Sequence, residues 1–142
     1  MSATAQREMS SLTNAAVPDW RRVAYLMHVS RALDDVEEKT LVPARKMSYQ
    51  FSARGHDLAQ ILLGSRLVNP NDAICGYYRS RPILLALGVS IADALGSSMA
   101  RAGGYSDGRD IGAVFNYPNP SGPSALPMCG VRTHKHNFCV RS

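Results

Sequence analysis

Seven consecutive residues, Gly76-Tyr77-Tyr78-Arg79-Ser80-Arg81-Pro82, bring two phenol rings and two guanidinium groups up to a proline suited to the first turn of a helix. The apolar run Ala73-Ile74-Cys75 just before them reads as a buried strand or extended piece. With a strand ending near Tyr78 and a helix beginning near Pro82, Arg79 and Arg81 lie where the unpaired amides of the helix start also point. Those amides and the positive end of the helix dipole favour a phosphate-like anion. A planar guanidinium binds two phosphate oxygens at once, which a lysine does not. Tyr77 or Tyr78 would add a hydroxyl donor or a ring wall. The same residue types also allow a plainer reading, in which one tyrosine packs in the core and both arginines pair with surface carboxylates.

Two other clusters offer chemistry with poorer spacing. Gly103-Gly104-Tyr105-Ser106-Asp107-Gly108-Arg109-Asp110 is glycine-rich but follows a helical pattern instead of opening one. It matches neither the dinucleotide fingerprint nor the phosphate-binding loop with its Lys-Ser/Thr. Asp107 and Asp110 read as turn formers ahead of metal ligands. Near the end of the chain, Cys129, His134, His136 and Cys139 supply ligand types that zinc accepts. Their spacing, C-x4-H-x-H-x2-C, is not that of two separated knuckles, so no metal site is assigned.

The elements that must carry the opening motif are mostly helical. Residues 1–16 are rich in Ser, Thr and Ala and read as a disordered N-terminal segment. From Val17-Pro18-Asp19 the pattern changes, and Val23, Leu26, Val29, Leu33 and Val36 recur on one face of a helix that stops near Pro43. Arg22, Arg31, Asp35, Glu38 and Lys39 form its solvated face. A second helix runs from His56 to Leu67, closed by Asn69-Pro70-Asn71-Asp72. A third begins at Pro82 and continues through Ile83, Leu84, Leu87, Ile91, Ala94, Leu95 and Met99 to about Ala102, ended by Gly103-Gly104. Tyr105 to Pro127 has no amphipathic period, and a loop of that length is functional or disordered. Helices interrupted by a short buried strand predict an α/β fold.

The chain has 142 residues, enough for one domain burying about 68% of its unfolded surface. A formal charge of +5 permits anionic partners without naming one. Positive residues are scattered, with no basic cluster or aromatic ladder, which argues against nucleic acid. No apolar run reaches the length of a membrane span. The polar N-terminus and three scattered cysteines suit a reducing, cytoplasmic setting.

Taken in order, Gly55-His56-Asp57-Leu58-Ala59-Gln60, Tyr77-Tyr78-Arg79-Ser80-Arg81-Pro82, Leu85-Ala86-Leu87-Gly88, Ser106-Asp107-Gly108-Arg109-Asp110 and Asn116-Tyr117-Pro118-Asn119 resemble the thiamine diphosphate-dependent dehydrogenase component of 2-oxo acid dehydrogenase complexes. The likeness is to the α-type half of branched-chain and related bacterial enzymes and covers residues 18–130. It implies a partial thiamine diphosphate-binding fold, with helices flanking a parallel sheet and helix-rich in the part present, over residues 17–130. It implies a β-type dehydrogenase domain or subunit and a lipoyl-bearing acyltransferase component as partners. The family's cofactor-contacting Tyr-Arg pair falls on Tyr78 and Arg79, with the arginine on the diphosphate. Leu126 and Met128, within Ala125-Leu126-Pro127-Met128, match the loop that approaches the aminopyrimidine. The resemblance gives Arg81 no role and identifies no catalytic base; His56 reads as structural or capping.

The implied activity is oxidative decarboxylation of a 2-oxo acid, with the acyl group passed to a lipoyl partner and the cofactor carrying the hard chemistry. The family's Gly-Asp-Gly motif and downstream asparagine, which hold magnesium, have no counterpart here, and residues 131–142 depart from the family in every feature. The expectation is an N-terminal fragment with a divergent, frameshifted tail, and weak or absent cofactor binding by the isolated chain. The alternative is a small basic helical interaction module that binds an anionic partner.

Overall fold

The first helix forms where apolar residues recur at three- and four-residue steps. In the computed structural model, which describes residues 17–48, 50–109, 112, 117–118, 122 and 124–127, helix α1 spans Trp20–Val36. Asp19 caps it: its carboxylate accepts hydrogen bonds from the amides of Arg21 at 3.0 Å and Arg22 at 3.1 Å, two of the donors a helix start leaves free. Val23, Leu26, Ser30, Leu33 and Asp34 are buried on one face. Val36, in phase with the expected stripe, is instead 43% exposed. The helix then widens into a π-helical turn over Glu37–Leu41, in which the Val42 amide bonds the Glu37 carbonyl at 2.9 Å.

Helix α2 spans Asp57–Gly64 and helix α3 spans Arg81–Leu87, every residue of which is buried. The two approach closely through Gly64, where an added Cβ would lie 2.7 Å from the Ala86 Cβ. Helix α4 spans Ile91–Ser98. The single helix expected from Pro82 to about Ala102 is therefore two. Gly88 takes the left-handed conformation, with φ of 103°, that ends α3, and the Val89 amide turns back to the Leu84 carbonyl. Ser90 then caps α4, accepting from the Asp93 amide at 3.0 Å. Helical spacing carries across this break because the apolar residues of both pieces share one period in the sequence, although Ile91 is 44% exposed.

Strands β1, Ala73–Gly76, and β2, Ser124–Pro127, pair in parallel, with Ala73 opposite Ser124 and Gly76 opposite Pro127. On β2, Tyr117 and Ala125 add an antiparallel bridge. The expectation of helices flanking a parallel sheet is met in its coarser part: the chain is helix-rich, and the described residues form one short parallel ladder in place of a sheet covered on both faces.

Two apolar clusters hold these elements. Val23, Leu26 and Leu33 of α1 meet Ile61 of α2, Leu85 and Ala86 of α3 and Ala94 of α4. Leu84, Leu87 and Val89 meet Ala125 of β2, with Leu67, Ile74 and Tyr117 against them. Helix α3 contributes to both clusters, which is why it has no exposed face. Residues 1–16, the tail from 128 onward and most of 113–123 lie outside the described residues.

Candidate functional site

The turn between β1 and α3 is tied at both ends. The Ser80 amide donates to the Tyr77 carbonyl at 2.8 Å, and the Tyr77 amide donates to the Ser80 hydroxyl at 2.9 Å. Ser80 thus sits before α3 yet spends its side chain on the turn and not on the helix amides. Tyr78 projects into an aromatic group, its ring 4.5 Å from Phe51 and 5.1 Å, edge-on, from Tyr77. These separations are those of favourable ring pairs. The Arg79 guanidinium lies 5.4 Å from the Tyr78 ring centroid, within cation–π range, and donates through Nη1 to the Ser52 carbonyl at 2.5 Å. The Arg79 carbonyl accepts from Gln60 Nε2 at 3.0 Å.

The two arginines of the motif part company. Arg79 is half-buried. Arg81, two residues on, is only 6% exposed and turns inward, where Nη1 donates to Glu37 and Nη2 to Asp34. Both carboxylates are themselves buried. The expectation that Arg79 and Arg81 both face an anion at the helix start is corrected for Arg81. The plainer reading is corrected as well, because Arg81 pairs with interior and not surface carboxylates and Arg79 bonds a carbonyl. Asp34 and Glu37 lie three residues apart in phase with Leu26, Ser30 and Leu33, so the buried face of α1 continues through Asp34 into Glu37 of the π-helical turn. That phase was the signal in the sequence: two acidic residues in an apolar stripe require a buried partner of opposite charge.

Asp34 extends the network. Its Oδ2 accepts from the Ser52 hydroxyl at 2.7 Å, and Arg54 Nε stands 3.9 Å away. Arg54 also pairs with Asp35 and, at 3.2 Å, with Glu38. Asp57, buried in the first turn of α2, accepts from the Ser30 hydroxyl at 3.1 Å and lies 3.6 Å from Arg31 Nε. Asp35 is held below the usual carboxylate range, chiefly by the hydrogen bond from Lys39. Burial raises the Tyr105 phenol, whose ring meets Tyr117 edge-on at 5.2 Å.

Of the other residues singled out, Leu126 lies in β2 opposite Cys75, while Met128 falls outside the described residues. His56 precedes α2 without a side-chain capping bond. Asp107 serves its turn, accepting from the Gly103 amide at 3.0 Å; Asp110 is outside the described residues. Cys129, His134, His136 and Cys139 lie outside them too. Among the described residues no group of three or more His, Cys, Asp or Glu converges so as to hold a metal ion, and no helix is long and apolar enough to cross a membrane.

The arrangement offers a half-buried guanidinium at the carboxyl end of a parallel strand pair, backed by rings on one side and a carbonyl on the other. No protein-family model matches the chain.

Proposed function

We propose that this chain carries the diphosphate-facing part of an α-type, thiamine diphosphate-dependent 2-oxo acid dehydrogenase component. The observation that carries the reading is the parallel register of β1 and β2. Gly76 stands opposite Pro127 and Cys75 opposite Leu126, so Tyr78 and Arg79 follow β1 at the carboxyl end of the ladder whose partner strand carries Leu126. Two segments some fifty residues apart in the chain, each holding a residue that the resemblance marks as a cofactor contact, are thereby joined through neighbouring strands. Ligands of open α/β folds bind at this carboxyl end.

The residues suit the diphosphate end of the group. Arg79 has five N–H donors, of which the Ser52 carbonyl takes one, leaving donors for phosphate oxygens. The buried Asp34–Arg81–Glu37 cluster anchors α3 against α1 and so fixes the base of the turn. Phe51 and Tyr77 hold the Tyr78 ring, the guanidinium lies over that ring, and no carboxylate among the described residues forms an ion pair with it. When bound, the cofactor supplies the carbanion chemistry of 2-oxo acid decarboxylation; the part of this chain is to bind and orient it. A β-type domain, a lipoyl-bearing acyltransferase and magnesium are the partners this reading requires.

One arginine offsets only part of a diphosphate's charge, so the affinity expected of the chain alone is weak, on the order of 1 mM. Calorimetric titration with thiamine diphosphate is expected to give saturable binding that thiamine does not share and that Arg79→Ala removes. Binding that is equal for thiamine and its diphosphate, or untouched by Arg79→Ala, would refute the reading. Arg22, Arg31, Arg54, Arg81 and Arg109 engage groups within the chain, which leaves fewer cations for the alternative, a basic module that binds an anionic partner.

A further inference from the structure

A continuous line of hydrogen bonds runs from the interior of α1 to the exposed side of the turn. Glu37 and Asp34 share the Arg81 guanidinium. Asp34 accepts the Ser52 hydroxyl at 2.7 Å, and the carbonyl of the same Ser52 accepts Arg79 Nη1. The Ser52 hydroxyl also accepts the Arg54 amide at 3.1 Å, so both its donor and its acceptor capacity are used and its orientation is set. On the other side of the turn, Gln60 Nε2 holds the Arg79 carbonyl. Gln60 Oε1 is buried with no hydrogen-bond partner among the described residues, so the bond that this amide makes there is the one from its nitrogen.

We propose that Ser52 and Gln60 are positioning residues that hold Arg79 for an anion, with Ser52 linking it to the buried Asp34–Arg81–Glu37 cluster. The proposal rests on the reading of Arg79 as the diphosphate contact. An arginine side chain free to rotate must be ordered when its ligand arrives, and that cost lowers affinity. Here the ordering precedes binding: the Ser52 carbonyl fixes the guanidinium, the Tyr78 ring limits its plane, and Gln60 fixes the backbone from which it projects. The anchor is the interior of the protein, not another surface side chain. A guanidinium held through a buried ion cluster keeps its geometry when exposed contacts fluctuate.

The test uses the full chain, with inorganic pyrophosphate as the probe. Ser52→Ala is expected to weaken pyrophosphate binding about tenfold, the loss of about one charge-assisted hydrogen bond's alignment. Ser52→Thr, which keeps the hydroxyl, is expected to restore it to within about twofold. Gln60→Met retains side-chain length, removes the unpartnered Oε1 and is expected to weaken binding about threefold with the fold intact. It also serves if Ser52→Ala does not fold. Circular dichroism selects a temperature at which each variant is folded. In parallel, 15N spectra of the Arg79 guanidinium are expected to show slowed rotation in the native chain and in Ser52→Thr, and averaged signals in Ser52→Ala.

Arg79→Ala without effect on pyrophosphate would sink the diphosphate reading. Native affinity in both Ser52→Ala and Gln60→Met, with Arg79→Ala inactive in binding, would sink the positioning proposal alone. Averaged Arg79 signals in the native chain would overturn it whatever pyrophosphate does.

Discussion

Replacing Arg81 with Met is the sharpest probe of the interior. Arg81 is 6% exposed, and its guanidinium serves two carboxylates, Asp34 and Glu37, that are buried with it. Methionine fills much of the volume but leaves both acids without their cation; among the described residues Arg54, 3.9 Å from Asp34, is the cation that remains near. Breaking a buried ion pair by removing one partner costs about 3 to 5 kcal/mol. A domain of this size has about 7 to 14 kcal/mol of stability, so the variant should stay folded near 25 °C with a much reduced margin. In a thermal melt followed by circular dichroism, the midpoint is expected to fall by about 10 to 20 °C. Adding Glu37→Gln to Arg81→Met removes one of the two stranded charges and should recover part of that loss. The double variant is thus expected to be more stable than the sum of the single effects implies, with a coupling of about 1 kcal/mol or more. A loss below about 1 kcal/mol for Arg81→Met, in the range of an exposed pair, would refute the buried cluster. So would strict additivity of the two substitutions.

Two further outcomes follow from local geometry. Gly64→Ala would place a Cβ 2.7 Å from the Ala86 Cβ, so α2 and α3 must separate; overpacking of about 1 to 3 kcal/mol should exceed the helix-propensity gain of about 1 kcal/mol, and urea denaturation should show net destabilisation. Lys39→Ala should raise the apparent pKa of Asp35 in an NMR titration, because the Lys39 hydrogen bond is the largest influence lowering it. The sign is that of a depressed carboxyl: its stabilising contribution is present above the unfolded value of about 3.9 and lost as pH falls through the lowered folded value. An unchanged Asp35 titration in Lys39→Ala would contradict the assignment.

What was legible in the sequence was local. The helix start at Val17-Pro18-Asp19, the stripe of Val23, Leu26 and Leu33, the strand at Ala73 and the proline opening α3 all rest on residues within a few positions of one another, where periodicity and turn chemistry act. The break at Gly88 was equally local, with its signal in Gly88-Val89-Ser90, yet it was overridden because Leu84, Leu87, Ile91 and Ala94 kept one helical period across it. A left-handed glycine followed by a capping serine outweighs the period, since it satisfies the ends of two helices at once.

By itself the sequence determined that the chain would be helix-rich and that Tyr78 and Arg79 would sit on a turn between a strand and a helix. Only the tertiary structure decided what the two arginines do. Arg81 reaches Glu37 and Asp34 across 44 and 47 positions of chain, and Arg79 reaches Ser52 across 27. At such separations residue type says that a charge needs a partner, while packing of α3 against α1 selects which one. Desolvation then sets the difference: the guanidinium that α3 carries inward must be neutralised by interior carboxylates, and the one left on the turn is half-buried and bonds a backbone carbonyl instead.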